Sequence, residues 1–181
     1  RVHEIADSYL GLTAERLSEL VGHQTVGLLG ADVLGDLDVL IDVPQGEVVF
    51  SESQLALDGE VIPTDTFLGV PVVDAHVGGR PCHMFFDTGA QLSYLDSDLI
   101  GDAPSLGPAT DFYPGLGEFE VDTHRVELHL GSLAQSIRCG ALPETLAMML
   151  RMGDAEGIVG NEFLDGRRLG VFLRRGQLVF G

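Results

Sequence analysis

The chain has no lysine and no tryptophan, only two cysteines, and ten basic residues, all of them arginine, against 28 acidic ones. A net charge of −18 at pH 7 repels nucleic-acid phosphates and anionic lipid headgroups, so neither nucleic acid nor membrane is expected as a partner. Neutral or basic peptides suit such a surface, and the charge also serves plain solubility. No apolar run approaches the ~20 residues that a membrane-spanning helix needs. Cys82 and Cys139 either pair with each other or stay as two buried thiols. The six histidines show no metal-ligand pattern. His124 and His129 are five apart on an expected strand and so face opposite sides. His76 and His83 flank a Gly-Gly turn without a third ligand, and His3-Glu4 lacks the later His of a zinc-protease helix. Neither G-x-S-x-G nor a cysteine-nucleophile signature occurs. No metal and no cofactor is expected.

What is present is apolar strand pattern. At 181 residues and 45% apolar content there is room for one domain or two small ones with a proper core. Residues 70–77 alternate, Gly78-Gly79 turns the chain, and residues 80–86 return as the partner strand of a hairpin. Phe85-Phe86 then runs into Asp87-Thr88-Gly89-Ala90, with Ser93 three residues later. This puts a carboxylate at the end of a buried strand, beside a Gly that lets the backbone pass close. Asp-Thr-Gly alone also makes an ordinary turn, so its surroundings decide. Seventy residues after Asp87 comes a second apolar strand ending in Gly, Gly157-Ile158-Val159-Gly160, followed by Asn161-Glu162-Phe163-Leu164. Residues 169–173 and 177–180, joined by Arg174-Arg175-Gly176, read as a closing hairpin.

Hairpin, Asp-Thr-Gly-Ala loop, following Ser and distant Gly-ended strand together resemble retropepsin-like aspartic proteases, of the clan shared by pepsins and retropepsins. The resemblance implies a mainly β fold: a retropepsin-like acid protease lobe with short helices. It implies that the Gly157 strand crosses behind the Asp-Thr-Gly loop. Asp87 becomes the catalytic residue, and Thr88, Gly89 and Ala90 support its loop. The turn-rich Tyr113-Pro114-Gly115-Leu116-Gly117 falls where such lobes carry the substrate-covering flap; a surface loop with an aromatic anchor is the alternative. The implied activity is aspartic endopeptidase, hydrolysing peptide bonds of a peptide or protein substrate through a water activated by two aspartates.

The chain also resembles itself. Residues 27–50 align without gaps on residues 157–180, an offset of 130, with six of the 24 positions identical. Upstream, Leu12 to Leu17 resembles Leu142 to Leu146, shifted by one residue. Residues 1–55 therefore read as the C-terminal half of a first lobe, 56–65 as a linker, and 66–181 as a complete lobe with loop, flap and closing hairpin. Asp32 aligns with Glu162 and belongs to the scaffold. No second Asp-Thr-Gly occurs, and the first lobe's Asp would fall about 43 residues before Arg1. The mate of Asp87 is thus expected from a partner chain, as in a homodimer, or from an N-terminal half-lobe. The rival expectation is a catalytically silent protease-like module for peptide binding or dimerisation. Residues 13–22 read as a helix capped by Thr13, and residues 141–152 as a Met-rich helix whose methionines fill core.

Overall fold

The computed structural model describes residues 5–181; the His3-Glu4 pair considered above lies outside the described residues. Thr13 opens the first helix, its Oγ1 accepting from the Arg16 N–H at 3.2 Å. The helix, α1 (Ala14–Val21), ends at Gly22, whose φ of +71° suits a residue without Cβ. A short α2 (Ala31–Leu34) precedes the hairpin β1 (Asp38–Asp42) and β2 (Glu47–Ser51). Then come β3 (Glu60–Phe67), β4 (Val70–Val77) and β5 (Arg80–Phe86). Gly78 and Gly79 both have positive φ, as the two-residue turn joining β4 to β5 requires. After β6 (Ser93–Leu95) and α3 (Ser97–Ile100), a long hairpin forms from β7 (Ser105–Tyr113) and β8 (Gly117–Leu130). The chain closes with β9 (Leu133–Ala141), α4 (Glu144–Met152), β10 (Gly157–Val159), a 3-10 turn at Asn161–Leu164, β11 (Arg168–Phe172) and β12 (Gln177–Phe180).

Among the described residues twelve strands form one sheet, in the order β2-β1-β11-β12-β3-β4-β5-β10-β6-β9-β8-β7, and the fold is mainly β. An extra pairing of β4 with β8 closes β4, β5, β10, β6, β9 and β8 into a ring. Strand alternation sorts side chains to its two faces. Met84, Phe86, Leu95 and Val159 enter the main core with Leu128, Ile137, Phe163 and Phe180. Phe85, Tyr94 and Ile158 point the other way, into a second cluster covered by Leu146 and Leu150 of α4.

Several details differ from the sequence reading. Residues 60–65, read as the end of a linker, belong to β3, which pairs with both β12 and β4. The polar alternation there is that of a strand with one wet face. On α4, Leu146, Ala147 and Leu150 are buried, whereas Met148, Met149 and Met152 are exposed. The methionines thus occupy the outer side of the helix, because the 3.6-residue period gives the inner stripe to the leucines. His83 faces Asp74 across the hairpin and His76 faces Pro81, so the two histidines do not meet. Cys82 and Cys139 are buried free thiols.

The 130-residue offset is written into the strand registers. Leu40 pairs with Gly170, its own counterpart, and Val39–Val171 maps onto Ile41–Leu169. The β1–β11 pairing is therefore two-fold symmetric about Leu40 and Gly170. Leu40 faces Val49 in the first hairpin, as Gly170 faces Val179 in the second. Gly46 and Gly176 share the left-handed conformation, φ +67° and +61°. Helices α1 and α4 begin at Ala14 and Glu144, at the same offset and without the one-residue shift of the sequence match.

A buried charge cluster departs from the symmetry. The carboxylate of Asp38 is fully buried; it accepts from Arg174 Nη2 at 2.6 Å and Nε at 3.2 Å and from the Leu55 N–H at 2.9 Å, and it pairs with Arg175 Nη1 at 2.9 Å. Arg174 also donates to the Glu52 carbonyl, and Arg175 to that of Leu55, so the cluster ties the β11–β12 turn to the segment after β2. Burial alone raises the Asp38 carboxyl, but the Arg174 and Leu55 hydrogen bonds and the two guanidinium charges outweigh it and hold it below the usual carboxylate range. The unfolded chain then binds this proton more readily than the folded one. The stabilisation is accordingly full above the ordinary carboxylate value and is lost as pH falls through the lower folded one. Asp38→Ala should cost about 3 kcal/mol in urea unfolding at pH 7, since it leaves two half-buried arginines uncompensated. The difference between wild type and variant should shrink towards pH 3. An equal difference at both pH values would deny the cluster this role.

Candidate active site

Strand β10 explains how the sequence shapes the Asp-Thr-Gly loop. It lies between β5, to which it runs parallel, and β6, to which it runs antiparallel. The slot is tight. A Cβ on Gly157 would lie 2.6 Å from the Tyr94 carbonyl oxygen, and one on Gly160 2.7 Å from that of Ala90. Both neighbours are backbone, which cannot swing aside, so glycine is required by close approach.

The chain leaving β5 is then tied to the chain leaving β10. The Asp87 N–H donates to the Val159 carbonyl at 3.0 Å, and the Asn161 N–H to that of Ala90 at 2.8 Å. The Gly160 N–H donates to Ser93 Oγ at 3.0 Å, and Ser93 is fully buried. Within the loop the Gly89 N–H donates to Asp87 Oδ1 at 2.9 Å, and the Ala90 N–H to the Asp87 carbonyl. Asp87, Thr88 and Ala90 are half-buried and Gly89 is exposed. One carboxylate oxygen is thereby fixed by the backbone of its own loop. The Thr88 hydroxyl makes no hydrogen bond among the described residues.

The hairpin of β7 and β8 carries the turn-rich residues 113–117 at its end. Pro114 and Gly115 sit at the centre of its turn, closed by the Leu116 N–H donating to the Tyr113 carbonyl at 3.0 Å. Gly115 has φ +81°, the value the third residue of a type II turn needs after proline. Tyr113 packs against the second cluster together with Phe119. Its phenol is pushed above its ordinary value by burial, then by Tyr9 and by the negative charge of Asp87, which places it in the field of that carboxylate. Tyr94, one residue beyond Ser93, donates to Asp111 Oδ2 at 2.5 Å, anchoring the hairpin near its tip to the strand after the loop. The five residues Tyr113 to Gly117 thus form the tip of the β7–β8 hairpin.

Two features escaped the sequence reading. The turn at Tyr9–Leu12 abuts this tip: Leu10 is the nearest neighbour a Cβ on Gly115 would meet, at 3.5 Å, and Arg16 pairs with Glu118 at 2.7 Å. Leu10 carries φ +49°, and no local sequence cue signals its distant contact. Helix α4 and the turn after it form the other unforeseen wall. There, a Cβ on Gly153 would strike the rings of Phe85 and Phe67 at 2.7 and 2.9 Å. Glu162 belongs to scaffold, accepting from the Arg138 N–H at 2.6 Å, and Asp32 lies in α2 at the equivalent place.

No protein-family model matches this chain, and no curated protein sequence does. Among solved structures, the EIAV protease complexed with the inhibitor HBY-793 aligns over 53% of this chain and 86% of its own, at 17% identity and a TM-score of 0.41. The solution structure of simian foamy virus (mac) protease aligns over 52% of this chain and 91% of its own, at 12% identity and 0.39. A foamy viral protease-reverse transcriptase in complex with an RNA/DNA hybrid gives 11% identity and 0.42; the match covers 53% of this chain and 12% of that one. These neighbours are retroviral and foamy viral proteases at low identity.

The slot geometry predicts an asymmetry between two equivalent glycines. Gly160→Ala should lower stability by about 1–3 kcal/mol, because its Cβ meets immovable backbone. Gly30→Ala meets only the Asp32 side chain and should cost a fraction of that. Denaturant unfolding of both variants measures the difference, and equal costs would contradict the close packing of β10.

Proposed function

We propose that this chain carries one half of an aspartic endopeptidase site, with Asp87 as one of two carboxylates that activate a water against a peptide bond. What supports the reading above all is the fixing of the Asp87 loop against the chain that leaves β10, through the bonds of Asp87, Ala90 and Ser93 to residues 159–161. A single Asp does not suffice. Two carboxylates about 3 Å apart share one proton and titrate as a unit. The ionised member takes a proton from the water while the protonated one donates to the scissile carbonyl oxygen. The hydroxyl of Thr88 is free to tie its loop to that of the mate. The mate comes from a partner chain or an N-terminal half-lobe, and residues 113–117 cover the substrate and exclude bulk water. Substrates are peptides or proteins, and neutral or basic ones are favoured by the acidic surface. No metal and no cofactor takes part in this reading.

A second reading is a silent, protease-like binding module. It draws on the single Asp-Thr-Gly in the sequence and on the unbonded Thr88 hydroxyl. The two differ in one measurement. In the completed enzyme, Asp87→Asn should abolish peptide hydrolysis, and a statine peptide should inhibit it. An Asp87→Asn protein that still cleaves would exclude the peptidase assignment. Persistent peptide binding without any turnover in wild type would favour the module.

The titrating pair sets the pH profile: turnover should peak in the acidic range and fall towards alkaline pH as the shared proton is lost. Thiol chemistry is not expected to contribute. Burial pushes Cys82 up to about 11 and Cys139 up to about 12, leaving both protonated and shielded at neutral pH. Iodoacetamide at pH 7 should therefore leave the rate unchanged; loss of activity in step with alkylation would point to a cysteine mechanism instead.

A further inference from the structure

The two-fold register lets each surface of residues 5–51 be compared with its counterpart in residues 135–181. Two places differ sharply. Leu28 and Leu29 are 56% and 52% exposed, whereas their counterparts Ile158 and Val159 are 5% and 0% exposed. Val48, Val49 and Phe50 are about half exposed, whereas Leu178, Val179 and Phe180 are buried. In the second half these positions are covered by one stretch of chain. Strands β5 and β6 flank β10, and β3 pairs with β12 through Leu178–Ile62, Val179–Val61 and Phe180–Glu60. In the first half residues 27–29 form no strand, and β2 is the outer edge of the sheet. Unpaired edges and clustered exposed apolar side chains are sites of association. The open surface is also continuous with the β1–β11 pairing between the halves, since β2 is the next strand outward.

We propose that residues 26–29 and the outer edge of β2 form one docking surface for a partner half-lobe, a polypeptide segment folded as residues 60–141 are here. One strand of it pairs antiparallel to β2, as β3 pairs with β12, and two others flank residues 27–29, as β5 and β6 flank β10. A second complete copy of this chain does not fit, because its own residues 60–95 are already engaged by its β10 and β12. Docking stands on the register alone. That the partner carries an Asp at the end of its central strand, facing Asp87 across the two-fold, rests in addition on the peptidase reading.

The test reads amide hydrogen exchange, not activity. In the isolated chain, residues 26–29 and the outward amides of 47–51 should exchange at least tenfold faster than residues 157–159 and 177–180. The probe is a tandem protein in which a duplicate of residues 56–143 precedes the complete chain on a flexible linker. Exchange at both segments should slow at least tenfold together, with light scattering showing a monomer. Leu29→Asp should be near neutral in the isolated chain and should reverse the protection in the tandem protein. Three results overturn the proposal. The first is an isolated monomer that already protects both segments as it protects their counterparts, and the second is protection that follows concentration-dependent dimerisation of the isolated chain. The third is a tandem protein whose added half fails to slow exchange at both segments, folded or not. Protection without hydrolysis would leave the docking surface standing and count against the peptidase reading only.

Discussion

The placement of three residues between two strands governs the rest of this structure. Strand β10 enters between β5 and β6 with glycine at positions 157 and 160, where any Cβ would meet backbone closer than 3 Å. Because it is parallel to one neighbour and antiparallel to the other, it joins the strand that precedes Asp87 to the one that follows Ser93. The loop between them cannot move without breaking the bonds of Asp87, Ala90 and Ser93 to residues 159–161. Rigidity of this kind is what a positioned carboxylate needs, since a reacting group displaced by 1 Å loses most of its benefit.

The same logic extends to the sheet as a whole. Pairing of β1 with β11 in a register symmetric about Leu40 and Gly170 makes the two hairpins equivalent in geometry, although they share few residues. Backbone register tolerates that divergence because it is set by alternation and turn length; Gly46 and Gly176 keep the turn while most side chains change. The Asp38 cluster is the exception that ties one hairpin to the other asymmetrically. Burial of its carboxylate is costly by itself, and its hydrogen-bond donors with the two guanidinium charges outweigh that cost only while the cluster is complete.

Much of this was legible in the residues. The Gly78-Gly79 hairpin, the Thr13 cap, the Gly-ended strand at 157–160 and the closing hairpin each rest on local chemistry, and each forms where that chemistry indicates. The 130-residue repeat was legible for the same reason, because glycines at turns and apolar residues at inward positions recur. What was not legible depends on contacts distant in sequence. Polarity in residues 60–65 suggests a linker, yet pairing with β12 and β4 makes it a strand. The methionines of α4 read as core because hydrophobicity says nothing about which side of a helix meets the sheet. The meeting of Leu10 and Arg16 with the hairpin tip, about 100 residues on, leaves no local trace.

The two faces of the ring then divide the work. Phe86, Leu95 and Val159 face the main core and hold the scaffold, whereas Phe85, Tyr94 and Ile158 face the second cluster, on the side where Tyr113 senses Asp87. Since Asp87 follows Phe85 by two positions, strand alternation sends its side chain to that same side. That face is covered by the inner stripe of α4 and by Tyr113 and Phe119 at the end of the β7–β8 hairpin, against which the Tyr9–Leu12 turn abuts. The Tyr94–Asp111 bond connects the hairpin near its tip to the strand that Ser93 begins, so a shift of the hairpin is felt one residue from the clamp on Gly160. Alternate residues of the same three strands thus serve the scaffold core and the seat on which the cover packs, so the residues that meet the cover differ from those that hold the scaffold.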